Sequence, residues 1–427
     1  MEKKSILVKD GRVIDPANSL DEVLNILITD GKIAKVGKNI KNSSEIIDAK
    51  GKIVIPGLVD MHVHLREPGR EDKETVCSGT KAALYGGVTS LLAMPNTYPA
   101  IDSPENARIL KEIIRKSAKC NVFICGAITK ERCGTEPTDT KGLKKEGAIA
   151  ISDDGASVES EEIMLSALKR AKEEGLLTIC HSEDKALSKG GVVNLGFTST
   201  RMGLRGISKE SEYKRVARDI ELAERAATKV HIAHVSCLES VEIIAKAKKK
   251  KIPVTCETAP HYFALNEETV LRYDTNFKMN PPLRGKADMQ AIREALRDGI
   301  IDVIASDHAP HTENEKDIEF ERAEFGVTGL ETELSVAMTE LVANGFLDWP
   351  GLVKKMSLNP AIILGIPRGT LKPGSFADIV IIDPGKEWVV DREKFISKSQ
   401  NNAFIGKKLK GKAEYTVCNG KVYAWNS

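Results

Sequence analysis

The residues able to do chemistry in this 427-residue chain are few, and its eight histidines are His62, His64, His181, His231, His234, His261, His308 and His311. Asp60-Met61-His62-Val63-His64 sets two imidazoles on one side of an extended strand, because strand side chains alternate with period two. Two nitrogen donors at that spacing suit one borderline cation such as zinc, with carboxylates completing its shell. Further donors follow in Cys180-His181, in His231-Ile232-Ala233-His234 and in Ser306-Asp307-His308-Ala309-Pro310-His311. The odd offset between His231 and His234 puts them on opposite faces. His234 is the better placed to point inward, and His231 is read as structural. A lone buried histidine is ordinarily a hydrogen-bonded core residue. Here seven of the eight fall at or just beyond the end of an apolar run, which points to a common centre.

Those runs must position the donors. Between Pro56 and Gly369 eight of them read as strands: Leu58 to His64, Val88 to Met94, Val122 to Ile128, Ala148 to Asp153, Leu176 to His181, Val230 to Val235, Ile252 to Thr258 and Ile301 to Ser306. Helical patterns such as Ser160 to Glu174 and Leu238 to Lys250 separate most of them. Eight strand–helix repeats over about 300 residues predict an α/β fold, a (β/α)8 TIM-like barrel whose strand ends form one rim. A doubly wound open sheet is the alternative, but no Gly-rich phosphate turn follows the first strand. The two chain ends instead read as short alternating strands with the turns Asp10-Gly11, Asp30-Gly31 and Asn419-Gly420. Residues 1–56 and 370–427 are therefore expected to form one small composite β-sandwich domain beside a catalytic barrel spanning 57–369.

Composition narrows the function classes. Hydrophobic residues at 41% and charged residues at 29% exclude a disordered chain. Lys+Arg 63 against Asp+Glu 61 leaves a net charge of +2, too balanced to grip nucleic acid by bulk charge. The basic run Lys248 to Lys251 reads as a helix C-terminus. No apolar run reaches the ~18 residues of a membrane span, and Met1 to Ser5 leads into alternating strand sequence. The eight cysteines are scattered without a C-x-x-C pair, which predicts a cytoplasmic chain with neither disulfides nor a thiolate zinc site.

Taken in order, the motifs are Asp60 to Arg66 with Glu67-Pro68-Gly69, Met94-Pro95-Asn96-Thr97, Asp153-Asp154-Gly155, Asn280-Pro281-Pro282-Leu283-Arg284 and Ser306 to His311. Over essentially its full length the chain resembles the amidohydrolase superfamily and, within it, the type I dihydroorotases. The resemblance implies two zinc ions per chain that share a bridging ligand and a bridging hydroxide. Many relatives bridge with a carboxylated lysine from strand four. Here Ala148 to Asp154 contains no lysine, and type I dihydroorotases resemble this chain in using an aspartate. Alternation puts Ile149, Ile151 and Asp153 on one face and Ala148, Ala150, Ser152 and Asp154 on the other. The bulky isoleucines suit the helix-facing side, so Asp154 is expected to bridge and Asp153 to be structural.

By the same resemblance, His62, His64, Asp154 and Asp307 hold one ion, while Asp154, His181 and His234 hold the other. Asp307 is implied as general acid and base. Arg66, Asn96 and His311 would grip the substrate carboxylate, with His64, Asn280 and the Phe325-Gly326 backbone also at the substrate. His261 matches no ligand position, and alternation turns His308 away from Asp307. The implied reaction is the reversible cyclisation of N-carbamoyl-L-aspartate to L-dihydroorotate, a step of de novo pyrimidine (UMP) biosynthesis. Allantoinase and hydantoinase are the enzymatic rivals, and a metal-free scaffold is the rival of another class. The expected partner is the small-molecule substrate, with a second copy of the chain and aspartate transcarbamoylase left open; neither nucleic acid nor a membrane is expected. The acidic segment Thr312 to Phe325 is expected to be a mobile lid or a partner-facing loop.

Overall fold

The computed structural model describes residues 5–40 and 43–425. The reading of Met1 to Lys4 and the outermost residues of the two terminal segments lie outside the described residues.

All eight expected barrel strands form, and they pair in chain order. They are Leu58–Val63, Val88–Ala93, Asn121–Gly126, Ala148–Ile151, Leu177–Cys180, Val230–Ile232, Val254–Thr258 and Val303–Ile304. The observed strands are shorter than their apolar runs, because each run continues into the loop that carries the chemistry. At the rim the first strand meets the segment after the eighth. Val63 bridges His308 in parallel, and the His64 N–H donates to the His308 carbonyl at 2.9 Å. The buried Asp60 carboxylate strengthens this seam by accepting from His62 N at 3.0 Å and Ser306 N at 3.2 Å. Burial pushes that carboxyl up to about 7.

The helices cover the barrel as their sequences require. Glu161–Glu174 starts at Ser160, whose hydroxyl accepts from Ile163 N, and stops at Gly175 in the left-handed region. It buries Met164, Ala167, Leu168 and Ala171, the stripe expected of helical spacing. Inside the barrel, Val59, Met61, Leu92, Cys125, Ala150, Leu177, Ile179, Ala233, Val303 and Ala305 form a separate core.

The chain termini build one mixed sheet of eight strands in which Ile53–Pro56 lies between Ser5–Asp15 and Ile379–Val389. Its alternation divides two cores. Val54, Ile379 and Ile381 join Ile6, Val8 and Ile26 in a core of the sheet's own, whereas Ile53, Ile55, Val380 and Ile382 pack into the main barrel core. Asp30-Gly31 and Asn419-Gly420 are two-residue hairpin turns with positive φ at both positions. Asp10-Gly11 is not a turn. Ser5–Asp15 runs straight through it as one strand, with a register shift between Val8 and Gly11. A Cβ on Gly11 would lie 2.4 Å from Val54 Cγ2, so this glycine serves a bulge and a close approach.

Candidate active site

Six side chains from five strand ends converge on the rim: His62 near the end of the first strand and His64 just after it, Asp154 after the fourth, His181 after the fifth, His234 after the sixth and Asp307 after the eighth. All six are buried. Asp154 sits at their centre. One oxygen lies 3.1 Å from His62 Nε2, 3.6 Å from His181 Nδ1 and 3.8 Å from His234 Nε2, and the other lies 3.5 Å from His64 Nε2. Asp307 closes the other side, 3.4 Å from His64 Nε2 and 3.6 Å from His62 Nε2. Two groups have the spacing to hold a cation: His62, His64 and Asp154, and Asp154, His181 and His234.

The donor set fits metal ions. His62 Nε2 and Asp154 Oδ1 are buried, face each other at 3.1 Å, and neither makes a hydrogen bond. Orphaned buried polar atoms are costly, and a cation between them would satisfy both. Imidazole nitrogen and carboxylate oxygen are the ligands zinc takes. The backbone supports this reading: Arg66, His234 and Asp307 all adopt left-handed φ, at 60°, 34° and 49°. Three such non-glycine residues at one site mark a geometry that the fold imposes.

The imidazoles are oriented from behind. His62 Nδ1 meets Glu257 Oε1 at 2.5 Å, and His64 Nδ1 meets Asn96 Oδ1 at 2.7 Å. His181 Nε2 lies 3.3 Å from Glu183 Oε2. A partner on one ring nitrogen fixes which nitrogen is left for a metal. Glu257 also reaches His231 Nε2 at 3.3 Å, and His231 Nδ1 meets Thr255 Oγ1 at 2.8 Å, so His231 stands outside the cluster. Burial raises the Glu257 carboxyl, but the charges and hydrogen bonds of His62 and His231 outweigh it and hold it at about 2. Glu257 and Glu183 were not singled out from sequence. His181-Ser182-Glu183 carries a weak local signal, whereas Glu257 is distant in sequence from both of its histidines.

Asp153 turns away from the cluster. Its carboxylate accepts from Ile128 N at 2.8 Å, from Thr129 N at 3.0 Å and from the Thr129 hydroxyl. Ile151 packs in the helix-facing core as alternation requires, but Ile149, at the strand's start, packs against the interior core. His308 also points elsewhere, its Nε2 3.3 Å from Glu74. His261 is buried beside Tyr262 without a partner for Nε2, and burial pushes its imidazole down to about 4.

Above the cluster lies a cavity of about 330 Å³. Its lining contains His64, Arg66, Asn96, Asn280, His311 and the Phe325-Gly326 pair. Lys73, Arg132 and Glu324 also line it and were missed from sequence, because nothing in their spacing marks them. Arg66 is anchored by Nε to the Pro310 carbonyl at 3.1 Å. Asn96 faces the cluster with both ends, since its Nδ2 reaches Asp154 Oδ2 at 3.3 Å. The Gly326 N–H donates to the Lys278 carbonyl at 2.9 Å, and Gly326 has a φ of 127° that leaves no room for a Cβ beside Ala309.

The acidic segment beyond His311, expected as a mobile lid or a partner-facing loop, is held by buried lysines. Lys316 Nζ donates to the carbonyls of Glu324 at 2.9 Å and Gly326 at 3.0 Å. Lys278 Nζ donates to Phe320 and Glu321 at 2.8 and 2.9 Å. Sequence charge could not reveal this, because the anchors are buried ammonium groups bound to main-chain oxygens.

A barrel that gathers four imidazoles and two aspartates under a small polar cavity fits a cyclic amidohydrolase. Comparison with known proteins agrees. A dihydro-orotase-like family model matches residues 51–240. The dihydroorotase of Elusimicrobium minutum is 52% identical over 417 residues, covering 97% of this chain and 96% of the relative. That of Geobacter metallireducens is 51% identical and covers 98% and 99%. Among solved structures, the L-hydantoinase (dihydropyrimidinase) from Arthrobacter aurescens superimposes with a TM-score of 0.89 at 26% identity, covering 99% of this chain and 96% of that one. The chain belongs to the dihydroorotase family.

Proposed function

We propose that this chain is a zinc-dependent dihydroorotase interconverting N-carbamoyl-L-aspartate and L-dihydroorotate in de novo pyrimidine synthesis, with a catalytic barrel over 57–369 and a β domain made by 1–56 and 370–427. The observation that carries the reading is a single cavity lined by five of the six cluster residues, His64, Asp154, His181, His234 and Asp307, together with Arg66. His62, His64, Asp154 and Asp307 would hold one cation, and Asp154, His181 and His234 a second. When bound, the two cations supply an acidified water as nucleophile and polarise the ring carbonyl.

The remaining chemistry belongs to the chain. Arg66 presents a planar fork of donors matched to a carboxylate, and Asn96 and His311 stand beside it. Asn280, in the same lining, is hydrogen-bonded to Glu183 and is placed for the ring amide. In the hydrolytic direction Asp307 takes the proton of the attacking water and delivers it to the amide nitrogen as the C–N bond breaks. In the cyclising direction the same carboxylate removes the proton from the carbamoyl nitrogen. A cytoplasmic location suits the eight unpaired cysteines, and among the described residues no helix is long and apolar enough to cross a membrane.

The test is turnover of dihydroorotate, hydantoin and allantoin by the zinc-replete protein, side by side. A carboxylate-binding wall left without its anion penalises the two uncharged rings, so dihydroorotate should be preferred by at least ~100-fold. Hydantoin or allantoin turned over as well as dihydroorotate would overturn the reading.

A further inference from the structure

Lys73 belongs to no motif described so far, yet it is almost fully buried and lines the active-site cavity. Its position is fixed through the main chain: its N–H donates to the Arg70 carbonyl at 3.0 Å, and its carbonyl accepts from the Ser399 hydroxyl at 2.7 Å. Its ammonium lies 3.1 Å from His311 Nδ1 and 2.9 Å from Glu315 Oε1. An ammonium group has only donors. His311 Nδ1 must therefore be its lone-pair nitrogen, and the ring proton must sit on Nε2. That nitrogen lies 2.8 Å from the Phe325 carbonyl and 3.3 Å from Arg66 Nη2, both on the cavity wall. The single Nε2 hydrogen therefore faces the Phe325 carbonyl, with the Arg66 guanidinium beside it as a second donor. Burial, then the charges of Arg66, Lys73 and Lys316, hold the imidazole far below its ordinary value, so the ring stays neutral.

We propose that Lys73 is a positioning residue of the substrate-carboxylate subsite: it locks His311 as the neutral Nε2–H tautomer, so that this N–H, held toward the Phe325 carbonyl, stands beside Arg66 ready to be shared with the carboxylate that Arg66 binds. Glu315 holds the ammonium in place from the other side. The inference rests on the dihydroorotase reading for the identity of the anion, but the tautomer itself does not.

Two measurements test it on the zinc-loaded protein and its variants. The first is the ¹⁵N NMR signature of the His311 ring, assigned by its loss in His311→Asn. In the parent protein Nε2 should carry the proton and Nδ1 should not, with or without dihydroorotate. In Lys73→Met this preference should be lost, and in Lys73→Arg it should be retained. The second is kinetics with dihydroorotate. Lys73→Met should raise KM about 10- to 100-fold, the scale of a misplaced charge-assisted contact, with kcat changed far less. Lys73→Arg should recover most of the loss. A parent protein protonated at Nδ1 overturns the proposal even if Lys73→Met fails to fold. So does a Lys73→Met protein whose tautomer or KM is unchanged. If the parent enzyme ignores dihydroorotate altogether, the functional reading fails instead, while the NMR measurement still decides the role of Lys73.

Discussion

Replacing Glu257 by glutamine should loosen metal binding without altering anything that meets the substrate. The carboxylate of Glu257 is buried behind the cluster, 2.5 Å from His62 Nδ1 and 3.3 Å from His231 Nε2. It holds His62 with Nδ1 protonated and Nε2 bare toward Asp154. Glutamine keeps the volume but has one acceptor oxygen in place of two, and its NH2 must face one of the two imidazoles. His62 is then free to take the wrong tautomer in a fraction of molecules. Loss of such a partner typically weakens metal affinity 10- to 100-fold, or ~1.4 to 2.8 kcal/mol. The assay is competition for zinc between the apoprotein and a chromophoric chelator, in the absence of substrate. His231→Gln serves as control and should cost less, because His231 reaches the cluster only through Glu257. Affinity within ~3-fold of the parent for Glu257→Gln would refute the idea that this carboxylate orients His62.

Three other outcomes follow from the same geometry. Asp154→Ala should lose both ions by elemental analysis, whereas Asp153→Asn should keep them but lose ~1–3 kcal/mol in urea unfolding, because three donors lose their charged acceptor; the reverse pattern would mean the two aspartates have been assigned the wrong way round. Arg66→Lys should raise KM for dihydroorotate about 10- to 100-fold at unchanged metal content, since the charge survives but the fork does not; unchanged kinetics would make Arg66 a structural residue. The Gly326 amide, bonded to the Lys278 carbonyl under a segment clamped by Lys316, should exchange slowly with or without dihydroorotate; fast exchange slowed by ligand would instead mark a mobile lid.

The barrel was legible because its signal is long-range and repeated. Eight apolar runs alternating with helical patterns leave little choice of architecture, and the histidines fall where those runs end. The pairing of His62 with His64 and the inward turn of Asp154 both follow from period-two alternation near a strand end. That rule fails where a strand is not regular. Asp10-Gly11 carries the composition of a hairpin turn, but the strand continues past it because Val54 packs against the missing Cβ. Ile149 breaks the alternation at the strand's start by packing against the interior core. The supporting carboxylates were out of reach for a different reason. Glu257 touches His62 across a separation of 195 residues, and Lys73 touches His311 across 238, contacts created by the closed barrel and by no local pattern.

Zinc titration of the apoprotein, with bound metal and dihydroorotate turnover followed on the same samples, tests the central claim most directly. Activity should be absent without metal, rise as zinc binds and level off near two ions per chain, the number expected from the two donor groups that share Asp154. Asp307→Asn, which keeps its shape but cannot accept a proton, should bind zinc along a similar curve and remain at least ~100-fold slower throughout. Full turnover by protein stripped of metal, or by zinc-loaded Asp307→Asn, would contradict it.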